Sequence, residues 1–210
     1  MPNRILCFLA LALPAAGGPV EFGRAELNRA LAARGLDPAK YRLSAEISTE
    51  AAETYRILPG LITGGDLRGL MYGLLEAAEQ IRQTGRLRMA RGAPVTPIRG
   101  IRQFLHNADL ERDWYYSKEY WQQFFAMLAR NRFNRFNLVF AHQTNYLAPP
   151  YPFWLALEEF PQVRVPGLTQ AERERNLEML RFISQSATDY GIDFTLGIWE
   201  HNIQPNMQPT

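Results

Sequence analysis

The chain has 210 residues, 47% hydrophobic and 21% charged, with 23 basic against 21 acidic side chains and a formal net charge of +2. That balance belongs to a folded globular protein and excludes a disordered or fibrous chain. The basic residues are scattered singly, so no phosphate-tracking surface and no nucleic-acid partner are expected.

Residues 1–18 read as an export signal. Arg4 is a minimal positive start, Ile5 to Leu13 is an apolar run of nine, and Pro14-Ala15-Ala16-Gly17-Gly18 offers small residues for cleavage. The run is too short to span a bilayer; the competing reading is a buried first element of the fold. Cleavage would remove the single Cys7, leaving a cysteine-free protein suited to a periplasmic or secreted location, with no membrane attachment.

Residues 19–84 have the pattern of a small α/β domain. A helix is expected from about Val20 to Gly35, with Phe22, Leu27, Ala30 and Leu31 on one face. Short strands follow at Tyr41 to Ile47, Thr54 to Leu58 and Leu61 to Thr63. A strong amphipathic helix runs from Leu67 to Arg82 behind an Asp66 cap. The stretch 85–97, with Arg86, Arg88, Arg91, Gly92, Pro94 and Pro97, reads as a linker.

From residue 98 strand and helix alternate, the signature of parallel βα units. Strands are expected at Ile101 to Leu105, Phe136 to Ala141 and Phe194 to Trp199. Between them lie a helix over Lys118 to Arg130, capped by Ser117, and one opened by a Thr169–Glu172 capping box that runs to about Asp189 and stops at Gly191. Asp109 and Glu111 read as a solvated loop or as weak acid–base candidates.

Each of the three histidines follows the end of one of these strands and precedes an amide: His106-Asn107, His142-Gln143 and His201-Asn202. In a barrel of parallel strands that end is the active-site face. Three roles compete. The set could hold a metal, although no His-x-His or His-x-x-x-His spacing occurs. It could supply a general base, or it could hydrogen-bond sugar hydroxyls together with the neighbouring amides.

The surroundings favour the third role. Tyr146, Tyr151, Phe153 and Trp154 sit in a loop stiffened by Pro149, Pro150 and Pro152, and the last strand ends in Trp199-Glu200. Aromatic rings beside polar groups hold the apolar face of a pyranose, although the same rings could simply close the loop against the barrel. Alternation in the last strand turns Phe194, Leu196 and Ile198 toward outer helices, and Thr195, Gly197, Trp199 and His201 inward. Glu200 falls on the outward parity and is a weaker acid or base candidate.

The stretch Gly65-Asp-Leu-Arg-Gly-Leu-Met-Tyr-Gly-Leu-Leu-Glu-Ala-Ala-Glu-Gln-Ile81, with its Gly-x-x-Tyr-Gly core, resembles the helix of the small domain that precedes the barrel in family 20 β-hexosaminidases and family 67 α-glucuronidases. Arg135-Phe-Asn-Leu-Val-Phe-Ala-His-Gln-Thr-Asn145 is similar to the hexosaminidase strand Lys-x-Asn-x-x-His-x-His-x-Thr-Asp. There Asn137, His142 and Thr144 match, Phe140 replaces the first His and Asn145 the Asp. Arg99-Gly100 resembles the arginine that holds sugar hydroxyls. The Pro-Glu-x-Asp-x-Pro-Gly-His signature is absent, with Gly197 and Trp199 at the two acidic positions. This points to the α-glucuronidase side or to a family of the same layout.

The resemblance implies an α/β protein in which a small N-terminal α/β domain precedes a (β/α)8 TIM barrel, of which 98–210 supplies the first three βα units. A complete barrel takes roughly 250 residues, so the chain reads as the N-terminal part of an exported glycoside hydrolase, inactive by itself. Its partner would be a carbohydrate, with no cofactor or metal required. The implied substrate contacts are Arg99, His106, Asn107, His142, Asn145, Trp199, Glu200, His201 and Asn202. The catalytic carboxylates of both families come from later strands, so no catalytic residue is assigned. The alternatives are a non-catalytic carbohydrate-binding protein and a metal-dependent hydrolase using His106, His142 and His201.

Overall fold

A computed structural model describes residues 17–41, 43–105, 108–140, 153–162, 164–165 and 167–198. Residues 1–16 of the expected signal segment 1–18 therefore lie outside the described residues. Helix α1 (Pro19–Ala33) starts on a proline, whose missing N–H has no helical partner at that position in any case. It closes where the Gly35 and Leu36 N–H groups donate to the carbonyls of Ala32 and Leu31. A 3₁₀ turn, Pro38–Lys40, is capped by Asp37.

Strands β1 (Ser44–Ile47), β2 (Tyr55–Leu58) and β3 (Leu61–Gly64) are joined by β4 (Ala90–Gly92) in a mixed sheet of order β1-β3-β2-β4. β1 runs parallel to β3, while β2 is antiparallel to both β3 and β4. β4 corrects the expectation that 85–97 is only a linker. Three residues flanked by Gly and Pro carry too little alternation to announce a strand, yet an edge strand this short needs only one neighbour.

Helix α2 (Leu67–Thr84) lies across this sheet. Its Asp66 cap accepts from the Gly69 N–H at 2.6 Å. The Gly-x-x-Tyr-Gly core acquires a packing explanation here. A Cβ on Gly69 would sit 2.3 Å from the Thr54 carbonyl oxygen, and one on Gly73 would sit 2.7 Å from Ile62 Cγ2. Both glycines therefore let the helix backbone press onto β2 and β3, while the intervening Tyr72 points away from that contact and is buried in a second core.

The second sheet is wholly parallel, β5 (Gly100–Leu105), β6 (Arg135–Phe140) and β7 (Asp193–Ile198), in chain order. Helices α3 (Ala108–Tyr115), α4 (Lys118–Arg130) and α5 (Gln170–Asp189) connect the strands. The Ser117 cap forms at 3.1 Å to Tyr120 N, and the Thr169–Glu172 capping box closes in both directions. Helix α3 corrects the loop expected around Asp109 and Glu111; its eight residues, of which only Leu110, Trp114 and Tyr115 are large and apolar, carry too short a pattern to read from sequence.

Two cores result. One unites Leu27, Ala30 and Leu31 of α1, Ile57 and Ile62 of the mixed sheet, and Leu70, Leu74, Ala78 and Ile81 of α2. The other joins Trp121, Phe125 and Leu128 of α4, Phe136 and Leu138 of β6, and Ile183 of α5, but it also takes Phe22 from α1 and Met71, Tyr72 and Leu75 from α2. A helix apolar on both faces belongs inside a structure, and α2 occupies that place between the two sheets. Each fully buried side chain of this size contributes about 1.5–3 kcal/mol, so removing the N-terminal layer would uncover a large part of the parallel sheet's own core.

Candidate functional site

The register aligns Leu105 with Phe140 and Phe140 with Ile198, so the C-terminal ends of the three parallel strands are level. His106, His142 and His201 follow those ends by one, two and three residues in sequence. These histidines, with Asn107, Asn145, Trp199, Glu200 and Asn202, lie outside the described residues, as do Tyr146 and Tyr151. Of the expected substrate contacts, the structure describes Arg99 alone.

The strand parity is well defined below that rim. Leu105, Phe136, Leu138 and Phe194 pack against the helix-side core. Arg102, Asn137 and Thr195 pair across the three strands on the opposite face, followed by Phe104, Val139 and Gly197. The Arg102 guanidinium lies 5.8 Å from the Phe104 ring. Asn137 Oδ1 is buried and without a hydrogen-bond partner among the described residues. Gly197 makes room for this row, since a Cβ there would meet Val139 Cγ2 at 2.6 Å and Asn137 Oδ1 at 3.1 Å.

Arg99 stands apart from the other expected contacts. It precedes β5 and so stands at the N-terminal end of the sheet, one strand length, roughly 20 Å, from the C-terminal rim. Its donors are taken by the protein: Nε by the Arg132 carbonyl at 2.7 Å, Nη1 by the Thr96 carbonyl at 2.7 Å, and Nη2 by Glu53 and by the Tyr72 hydroxyl at 3.2 Å. These bonds make Arg99 an anchor between the two sheets.

Trp154 takes the second of the two roles open to its loop. It is 7% exposed, and its ring meets Phe140 edge-on at 4.5 Å, closing the core instead of offering a face to a ligand. Next to it, the Phe153 carbonyl accepts from Asn176 Nδ2 at 3.0 Å, which ties this loop to α5.

The charged centre that the sequence did not announce is Glu53, 8% exposed. Burial pushes its carboxyl up, but hydrogen bonds from Asn134, Arg68 and Arg99 and the charge of Arg99 outweigh that, holding it below the ordinary value. Glu26, at 2% exposure, behaves alike: burial raises it, and Arg130, Arg29 and Arg82 bring it below the usual range. Glu53 lies in a turn and Asn134 just before a strand, where polar residues are ordinary. The signal that existed was the arginine excess, with lysine only at 40 and 118.

No protein-family model matches the sequence, and no curated protein matches it. Among solved structures, the chain is similar to an enzyme of glycoside hydrolase family 138 targeting pectin rhamnogalacturonan II, with a TM-score of 0.69 and 19% identity over 87% of this chain and 24% of that one. It is also similar to a glycoside hydrolase family 20 β-N-acetylglucosaminidase, with a TM-score of 0.50 and 16% identity over 83% of this chain and 36% of that one. The chain thus spans about a quarter and about a third of these enzymes. What it shares with them is a mixed α/β fold found in glycoside hydrolases.

Proposed function

We propose that the chain is the N-terminal part of an exported glycoside hydrolase acting on a polysaccharide or oligosaccharide. In this reading the parallel sheet is the first three βα units of a TIM barrel, and residues at its C-terminal rim contact the sugar. The observation that supports it most is the fold likeness to the family 138 enzyme across 87% of the chain. The level ends of β5, β6 and β7 agree with it, because such rims carry the sites of barrel enzymes. Hydrolysis would use a pair of carboxyl groups flanking the glycosidic bond, supplied from outside residues 1–210. His106, Asn107, His142, Asn145, Trp199, His201 and Asn202 would bind substrate hydroxyls and ring faces, with Glu200 as a further polar group.

The test is hydrolysis of plant and bacterial polysaccharides by the protein encoded by the intact reading frame, with and without His142→Ala. A loss of kcat/KM of about tenfold or more with an unchanged melting temperature is expected for one lost buried polar contact. Unchanged kinetics would remove His142 from the site, and absence of turnover on any glycan would overturn the reading. Stoichiometric bound zinc would instead favour a metal-dependent hydrolase built on the three histidines.

A further inference from the structure

The residues that open the three parallel strands converge on one side chain of the N-terminal layer. Glu53 Oε1 accepts from Asn134 Nδ2 at 2.8 Å and from Arg68 Nη1 at 2.7 Å, and Oε2 accepts from Arg99 Nη2. Arg99 directly precedes β5 and Asn134 directly precedes β6. Arg68 reaches β7, donating from Nε to the Gly191 carbonyl at 2.6 Å and from Nη2 to Asp193 Oδ1 at 2.6 Å.

The strand ends are also tied to one another through the same groups. Arg99 N donates to Asn134 Oδ1 at 2.9 Å, Asn134 Nδ2 also donates to the Pro97 carbonyl at 2.7 Å, and Asp193 N donates to the Asn134 carbonyl at 2.9 Å. Arg68 and Arg99 thus face two carboxylates, Glu53 and Asp193, and Arg135 Nη2 lies 3.9 Å from Asp193 Oδ2, so both carboxylates have more than one cationic partner.

Backbone geometry supports the same conclusion. Glu53 and Arg132 are the non-glycine residues with left-handed φ among those described, each at 62°. For an L-residue other than Asn, Asp or Gly that conformation costs about 1 kcal/mol. Both lie at this junction: the Arg132 carbonyl accepts from Arg99 Nε, and its guanidinium lies 5.3 Å from the Tyr72 ring. The turn holding Glu53 is itself fixed, because Asp66 Oδ1 accepts from Glu53 N at 3.0 Å while capping α2. A glycine would be relaxed at position 53 but could not receive the three donors.

We propose that Glu53 is the keystone of the parallel sheet, through which the N-terminal layer clamps the opening ends of β5, β6 and β7 at fixed spacing, so that the two sheets open as one cooperative unit. The layer is then a built-in brace for the strands whose far ends carry the candidate site, and not a detachable module. This inference does not depend on which ligand the rim binds.

The test is amide hydrogen exchange on the 210-residue chain, at several sub-denaturing concentrations of guanidinium chloride. The slowest amides of β2, β3 and β6 are expected to share one opening free energy and one denaturant dependence. Glu53→Gln keeps the size but turns an N–H pair toward the arginines, and it should speed exchange in β5–β7 and in β2–β3 together, on the order of tenfold or more. Glu50→Gln, on an exposed ion pair, should leave both sheets unchanged. Acceleration confined to the 51–55 turn would overturn the proposal. If Glu53→Gln does not fold, the unmodified chain still decides, because sheets that open at different denaturant concentrations would refute a single unit.

Discussion

Two glutamates of the N-terminal layer are buried, and they join the rest of the molecule in different ways. Glu26, on α1, accepts from Arg130 Nε at 3.0 Å and Nη2 at 2.9 Å, from Arg82 at 3.4 Å, and from Arg29 one turn along. All of its partners are long helical side chains that remain more than a third exposed. Glu53 accepts from two arginines only about a fifth exposed and from the buried amide of Asn134; Arg99 and Asn134 directly precede strands, and Arg68, in the first turn of α2, is held at the opening of β7 by its bonds to Gly191 and Asp193. The comparison teaches that burial of the carboxylate alone does not set its structural weight. Partners that water still reaches can re-pair with solvent, whereas partners held by strand backbone cannot move away.

The largest effect should therefore come from Glu53. Glu53→Ala leaves two guanidiniums and an amide without their acceptor and should destabilise the chain by about 3 kcal/mol, the lower end for breaking a buried pair because Arg68 and Arg99 keep some solvent contact. Denaturant unfolding would show a lower midpoint, and a loss under 1 kcal/mol would contradict the distinction drawn between the two sites.

Acid should show the same hierarchy. Both carboxyls are held below the ordinary 4.5, so their stabilisation is complete above about pH 4.5 and is withdrawn as pH falls through each lowered value. Unfolding midpoints between pH 7 and pH 2 should decline mainly at the acid end for the unmodified chain. The decline should be shallower for Glu53→Gln, which has no proton to gain at that position. An equally steep acid loss in this variant would remove Glu53 from the linkage.

Much of the fold was legible because local signals agreed with the tertiary outcome. The caps at Asp66, Ser117 and Thr169 and the close at Gly35 use one-residue chemistry that neighbouring layers do not alter. The alternation in β7 was legible because one of its faces is bound to helices. What escaped depended on distance. β4 exists only because β2 lies beside it, and α3 is too short to show its period. The place of Arg99 was not legible because a guanidinium suits a sugar or a carboxylate equally well, and sequence does not say which end of a sheet a residue will occupy. The arginine excess, with lysine only at 40 and 118, finds partners among the protein's own carboxylates, Glu26 and Glu53 included. Trp154 stayed open between two roles for a related reason, since an aromatic residue in a loop carries no mark that it will turn inward onto Phe140.

An intermediate effect is expected at Glu26. Glu26→Gln keeps an acceptor oxygen for Arg130, and the exposed ends of Arg29 and Arg82 can turn to water, so a loss of about 1–2 kcal/mol is expected. Its site of action should differ as well. Glu26 ties α1 to α2 and α4, so faster amide exchange should centre on α1 and the end of α4 and spare the opening ends of β5–β7. Equal acceleration at those strand ends would erase the difference between the two carboxylates.

The smallest effect should come from Glu50, which marks the exposed limit of the same chemistry. Its carboxylate receives Arg56 Nε at 2.9 and 3.0 Å, and Arg56 Nη2 as well, a fork that in geometry rivals anything at Glu53. Hydrogen bonding from Arg56 holds the Glu50 carboxyl below its ordinary value, which by itself would suggest importance. Yet the Arg56 side chain is 48% exposed, the pair lies on one sheet alone, and the released ions would be solvated at once. Glu50→Gln should shift the unfolding midpoint and the acid profile only slightly and leave exchange in both sheets unaltered. A clear loss there would mean that fork geometry, and not the anchoring of the partners, decides which carboxylates hold this molecule together.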